Sequence, residues 1–518
     1  MDELKTQLGG KGKFQYKTMF FIGIISSFCA MRTYTYNFVY AQPKIIIKMG
    51  NQTLNNMTNK QTCEIVNEIE NNKNNPNNYK WEFDKTFYHS SIVTDLNLIC
   101  DKQYLIGLPE TIATATLILG FFGGFLGDKI GRKKAILTSL ICYTTIILIS
   151  RIFFLQIFEM SFNFKYVIFA LVQILLSACS PWLYGTTFVL LSESTNYSHR
   201  TFFSNMNGYF YIMGEYILLL VYYLSRDWKV VYWFIGAYGL LTIISTFFVE
   251  ESAEWLLTIG NKKKALKIFK KMSRLNGKPL ENIEELVDDL QNKSPNEHKS
   301  KLRETIKQIK EILSNKNSLV KTLIVSYIWF SLYLSYYGTS LGISSFNFGN
   351  PFVLFLVSSS SELIACSSAR IVDFIGRKKT MLLFFTIATS MYFSIVVILW
   401  TTINKKMSDY SLESILLLVF FIFGKWSVSV LIQTAYIYSS EVYSANIRNT
   451  AVLFTSTIGS IGSNIFPYVN LLANVVWKPL PYIVYGISTL LSVIFVLFLP
   501  ETHQKMSSNI KLEKFDSF

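Results

Sequence analysis

The chain has 518 residues, is 51% hydrophobic and only 16% charged, and carries a net charge of +15. A soluble domain carries nearer a quarter charged residues, and the apolar residues here fall in blocks of about twenty, the length that crosses a hydrocarbon core, so a soluble globular protein is excluded. The basic excess sits in short segments between those blocks, the cytoplasmic-side pattern of a membrane protein and not a nucleic-acid surface.

Residues 1–17 are polar. The first apolar block, 18–40, is too long for a cleaved signal and has no small-residue cleavage site, so it reads as a retained first helix. Further spans are predicted at 104–126, 135–155, 164–191, 203–224 and 230–249, then at 319–341, 350–372, 379–401, 412–438, 451–474 and 479–499. The expected fold is an all-α membrane protein of twelve transmembrane helices in two six-helix halves. Residues 1–250 form the first half, 251–318 a linker, 319–502 the second half and 503–518 a tail.

Residues 41–103 form a large Asn-rich loop with N-x-T sequons at Asn51 and Asn56. Sequons are acceptors only on a lumenal or extracellular face, and an Asn-rich stretch also makes them by chance. Cys63 and Cys100 lie in the same loop, where an oxidising compartment would allow a disulfide. Cys29, Cys142, Cys179 and Cys366 fall in spans and read as apolar packing residues. The linker is Lys-rich, and Leu266, Ile268, Phe269 and Met272 recur at roughly helical spacing among its lysines. Amphipathic helices at the cytoplasmic leaflet are predicted there. An even number of spans then places both termini in the cytoplasm.

Three signatures occur twice at offsets of 245 to 250 residues. Asp128-Lys129-Ile130-Gly131-Arg132-Lys133-Lys134 returns as Asp373-Phe374-Ile375-Gly376-Arg377-Lys378-Lys379, Glu193 and Arg200 return as Glu441 and Arg448, and Glu251 returns as Glu501. Paired motifs in constant order indicate duplication, and parallel six-helix repeats are the organisation of major facilitator transporters, with the substrate site between the halves. The glycine permits a tight turn and the basic residues anchor it. Asp128, Arg132, Glu193, Arg200, Glu251, Asp373, Arg377, Glu441, Arg448 and Glu501 are therefore candidate gating residues, whose pairs form in one conformation and break in another. The plainer alternative is that they set topology only.

Several stretches resemble the organic cation, organic anion and carnitine transporter family. They are Trp81–Asp84, Ser90–Asp101, Glu251-Ser252-Ala253-Glu254-Trp255-Leu256-Leu257, Tyr336-Tyr337-Gly338, Gly424-Lys425-Trp426, and Ser440–Tyr443 with Ile447–Thr450. The resemblance covers residues 18–502. It implies the major facilitator fold, carriage of small organic ions, and a role for the Tyr336-Tyr337-Gly338 segment in lining the cavity. Ala253-Glu254 depart from the family's Pro-Arg, and Ser444-Ala445 from its Pro-Thr. In span eleven Ser460 stands where cation carriers have Asp and anion carriers Arg, and in span four Pro181 stands where cation carriers have Lys.

Ionisable groups inside spans cost at least about 2.5–3.5 kcal/mol and usually face a cavity or a partner. Glu110, Glu215, Glu362 and Lys425 are such groups. Rings attract organic cations, and Tyr184 and Phe188 share a helix face. The candidate substrate-binding residues are Tyr36, Tyr184, Phe188, Glu215, Tyr336, Tyr337, Glu362, Tyr436 and Ser460. No nucleotide-binding loop, nucleophile elbow or metal-ligand spacing occurs, so neither an enzyme, a cofactor nor a metal is expected. The four histidines, at 89, 199, 298 and 503, form no relay. The reading is a facilitative or secondary transporter of small organic ions, cations or zwitterions such as carnitine, working by alternating access, monomeric, and placed in the plasma membrane. Its expected partners are a small-molecule substrate and the bilayer, with no nucleic acid. A sugar or other neutral-solute porter of the same fold is one alternative, kept open by Ser460. A non-transporting receptor or structural subunit is the other, suggested by the altered motifs.

Overall fold

The computed structural model describes residues 2–49, 52–54, 59–71, 79–116, 127, 129–156, 161–179, 181–280, 282–292, 316–341, 350–367, 372, 374–402, 411–443 and 448–502. Asn51, Asn56, Asp128 and Asp373, and the side chains of Glu110, Pro181 and Arg448, lie outside the described residues. Among the described residues, seven helical stretches are long and apolar enough to cross a membrane.

In the first half the predicted spans are occupied by α2 (Lys13–Tyr34), α6 (Leu108–Ala115), α7 (Arg132–Gln156), the pair α8 (Phe162–Ala178) and α9 (Pro181–Ser194), α10 (Tyr197–Ser225) and α11 (Trp228–Phe247). In the second they are α15 (Lys316–Leu341), α16 (Pro351–Ser367), α17 (Arg377–Thr401), α18 (Leu412–Val442), the pair α19 (Arg448–Gly459) and α20 (Ile461–Val475), and α21 (Leu480–Leu497). The halves pack alike. In each, the first span lies against the fifth and sixth, the second against the fourth, and the third against the fourth and sixth. The halves meet through the same pair of contacts, α10 on α16 and α20 on α6.

Glycine sets how closely the first and fifth spans of each half approach. A Cβ on Gly214 of α10 would lie 2.2 Å from the Ser27 carbonyl oxygen of α2, and one on Gly462 of α20 would lie 2.3 Å from the Phe330 carbonyl oxygen of α15. The two glycines are 462 − 214 = 248 residues apart. Small residues at such crossings supply close packing where lipid provides no hydrophobic drive between helices.

The first loop is not all helical. β1 (Ile45–Met49) pairs antiparallel with both β2 (Gln52–Leu54) and β3 (Tyr79–Phe83), so a three-stranded sheet of order β2-β1-β3 caps this end, with α4 (Asn59–Asn71) inserted before β3. Cys63 of α4 is disulfide-bonded to Cys100. Ser91 caps the short helix α5 (Ile92–Asp95). Asp95 of α5 accepts a hydrogen bond from Trp228 Nε1 at 3.1 Å and pairs with Lys229 at 2.8 Å, which fastens the loop to the start of α11.

At the opposite end, α1 (Asp2–Gln7) packs with linker helices α12 (Ala253–Thr258), α13 (Lys262–Asn276) and α14 (Ile283–Asn292) around Leu8, Phe14, Phe269 and Val287. Asn261 caps α13, and Gly277, in the left-handed region at φ +63°, ends it. The Asn276 side chain accepts from Phe14 N and donates to the carbonyls of Leu8 and Gly9. Lys5, only 1% exposed, pairs with Glu254 at 2.6 Å and donates to the Thr195 carbonyl. The residue that departs from the family pattern at 254 therefore has a partner at the far N-terminus. Lys5→Ala should destabilise the solubilised protein by about 1.5–3 kcal/mol, the range for a buried charge-assisted hydrogen bond. The swap Lys5→Glu with Glu254→Lys should recover part of that loss, as read from thermal melting. Equal melting of wild type and Lys5→Ala would dismiss the anchor.

Candidate functional site

Each half carries the same latch at the linker-side turns. Gly131 and Gly376 adopt φ +103° and +96°, as the turn requires. Glu251 accepts from Lys133 N at 3.1 Å and from Ser252 N at 3.0 Å; Glu501 accepts from Arg377 N and Thr502 N, both at 3.0 Å. Each carboxylate thus sits on the N-terminus of the third helix of its half, where the helix dipole favours an anion. Arg132 pairs with Glu193 at 3.1 Å and Arg377 with Glu441 at 3.2 Å, while Thr502 Oγ1 donates to the second Glu441 oxygen at 2.6 Å. These pairs join helices of one half and do not bridge the two. Glu193 takes Arg132, from the turn, and not Arg200, seven residues along its own chain.

The halves join around a buried acid. Glu362 of α16, 7% exposed, accepts from Tyr34 of α2 and Tyr336 of α15, each at 2.8 Å, and pairs with Lys425 of α18 at 2.7 Å. Lys425 also donates to the Ser340 hydroxyl and lies 3.6 Å from the Tyr336 ring centroid. Only Tyr34 comes from the first half. Asn37 adds a second bridge to the Ser340 carbonyl at 2.8 Å, and Tyr216 a third to Ser360 at 3.0 Å. Glu215 of α10 faces this cluster from the first half, beside Ser359 and Tyr34. It is fully buried, and neither carboxylate oxygen has a hydrogen-bond partner among the described residues. Two carboxyl groups therefore face one lysine, and the shown ion pair is that of Glu362 with Lys425.

A fourth bridge, between the Tyr209 and Ser367 hydroxyls at 3.0 Å, lies nearer the turns than the other three. Tyr184 of α9 and Tyr436 of α18 come one from each half. They are 40% and 50% exposed although Tyr184 packs on Tyr211 at 5.4 Å and Tyr436 on Trp329 at 4.5 Å.

Residues 20–511 match the family described as sugar (and other) transporters. The chain belongs to that family. It is 29% identical to the human organic cation/carnitine transporter 2 over 425 residues, covering 82% of this chain and 71% of that one. It is 28% identical to pig solute carrier family 22 member 7 over 439 residues, covering 82% and 73%. The fold is that of the major facilitator superfamily: the partially occluded, inward-open xylose transporter XylE from E. coli superposes with a TM-score of 0.61 at 14% identity, over 94% of this chain and 98% of that one. The protein is a multi-pass membrane transporter, and the family is not one of enzymes.

Within this transporter the predicted binding residues separate into three groups. Tyr336, Glu362 and Glu215 form the seam. Tyr184 and Tyr436 are part-exposed, and Phe188 lies one turn from Tyr184 on α9. Tyr36 and Tyr337 line a separate cavity with Arg32. Ser460 is in none of these: its hydroxyl donates to the Thr457 carbonyl at 2.7 Å, within the break between α19 and α20. The sequence reading passed over Tyr34, since span one is apolar all round and gives no phase to separate Tyr34 from Tyr36. It also passed over Arg32 and Arg151, though an arginine inside an apolar block was a legible signal. Arg151 stacks 5.0 Å from the Trp228 ring.

Lys425→Met should strand Glu362 beside Glu215 and cost about 3–5 kcal/mol, the usual penalty for removing one partner of a buried pair. Adding Glu362→Leu should restore most of it in detergent melting curves. An equally unstable double variant would show that the lysine acts through something other than the acid.

Proposed function

We propose that the protein carries small organic ions, cations or zwitterions such as carnitine, across the membrane by alternating access, as a facilitative or secondary transporter. The observation that carries this reading is the seam cluster, in which the carboxyl groups of Glu362 and Glu215 face one lysine, Lys425, beside Tyr34 and Tyr336. Carboxyl groups and π faces in a low-dielectric interior suit an organic cation. The similarity to organic cation/carnitine transporter 2 supports the same substrate class. A membrane potential supplies about 2.3 kcal/mol per charge per 100 mV, enough to concentrate a cation without nucleotide hydrolysis.

Tyr36, Tyr184, Phe188, Tyr337 and Tyr436 are assigned to the substrate path. The Lys-rich linker and Arg-Lys turns support a cytoplasmic turn side, with both termini there, by the positive-inside rule. The disulfide-bonded loop with Asn51 and Asn56 then faces outside, which fits a glycosylated plasma-membrane monomer. The latches tie each turn to its own half, so that each half rocks as a unit.

Uptake of labelled tetraalkylammonium, carnitine, an organic anion and a hexose in transport-null cells tests the substrate class. Organic-cation or carnitine uptake is expected; hexose uptake alone would favour a neutral-solute porter, and no uptake despite surface expression would remove the transport reading. Arg377→Ala, which frees Glu441, should lower the maximal rate about tenfold while changing substrate affinity less than threefold. Equal loss in both would make the latch a folding element only.

A further inference from the structure

On the face of α2 away from Glu362 lies a second polar space. It is lined by Arg32, Tyr143 of α7, Gln173 of α8, Tyr232 of α11, and Tyr337 and Ser463 from the second half, so both halves enclose it. Arg32 is half-buried and forms no hydrogen bond or ion pair with a described residue. None of the described residues lining the space is an aspartate or glutamate.

This is the inverse of the seam. There, two carboxyl groups face one lysine; here, among the described residues, a guanidinium stands among hydroxyls and an amide with no carboxylate beside it. An arginine within a span is costly unless it is paired or faces a cavity. Its planar donor fork fits a carboxylate with two parallel hydrogen bonds, and tyrosine, serine and glutamine can complete such a site. The two spaces are linked through neighbouring rings, since Tyr337 lines this one and packs edge-on at 5.4 Å against Tyr336, which holds Glu362.

We propose that Arg32 receives the carboxylate of the transported molecule, so that the preferred substrate bears both a quaternary ammonium and a carboxylate. This rests on the organic-ion reading above and narrows it to carboxylate-bearing zwitterions. Arg32 acts as a specificity determinant.

The test compares carnitine with its methyl ester, which keeps the ammonium and loses the anionic charge. Uptake of each is measured for wild type, R32Q and R32K at matched surface expression. R32Q is expected to raise the carnitine KM about ten- to a hundredfold, as loss of a charge-assisted hydrogen bond implies. The ester KM should move less than threefold, and R32K should fall between. Equal effects on both compounds, or no effect on carnitine, would overturn the proposal. So would uptake that needs chloride in wild type and not in R32Q, because Arg32 would then hold a co-ion. Thermal stabilisation of the purified protein by the same two compounds reads binding without transport. Selective stabilisation by carnitine that R32Q abolishes, in a protein that moves neither compound, would sink the transport reading and leave this site standing. No stabilisation by carnitine, together with no uptake, would overturn it.

Discussion

A carboxylate that must stay away from water organises the middle of this molecule. Glu362 satisfies its two oxygens with Tyr34, Tyr336 and Lys425, and those three side chains come from three helices. An ionised group in a membrane interior is tolerated only when paired and hydrogen-bonded, so the four helices that supply the cluster hold one another in register. Of the three partners of Glu362, only Tyr34 comes from the first half. Among the described residues the seam is bridged by single hydrogen bonds at Tyr34, Asn37, Tyr209 and Tyr216, each of modest net strength. Contacts of that size hold one arrangement without locking it, as a two-state carrier needs.

The latches work by a different logic. Inside each half the third helix begins on a carboxylate, and its arginine reaches an acid from the fourth span. These interactions sit at helix ends, where four amide groups lack intrahelical partners and an anion satisfies them at little cost. Repeated at an offset near 250 residues, they make two similarly braced bodies. Rigid bodies joined by weak bridges concentrate any motion at the seam, which is where the ionisable residues and the exposed rings lie.

Charge in the interior is divided between two places. The seam has two acids to one lysine, and the space around Arg32 holds an arginine with no partner among the described residues. Each alone would be a desolvation cost with no return. Together they would give the proposed substrate path a polarity, and Tyr336 and Tyr337 are adjacent rings.

The spans, the duplication and the turn motifs were legible in the sequence because they are local. A twenty-residue apolar block, a glycine before an arginine, or an acid at a helix end carries its meaning without knowing its neighbours. Glu362 and Lys425 were also legible, as costly residues in apolar blocks. What joins them was not. Tyr34 and Tyr36 are equivalent in an all-round apolar helix until packing fixes its rotation, and only the fold turns Tyr34 to Glu362 and Tyr36 to Arg32. The partner of Glu254 lies 249 residues back at Lys5, and the first-loop sheet pairs β1 with β3 across an inserted helix. The sequence alone determined which segments cross the membrane and that they form two copies of one unit. The tertiary structure decided which charges meet, because pairing depends on helix rotation and long-range contact, and neither leaves a periodic trace along the chain.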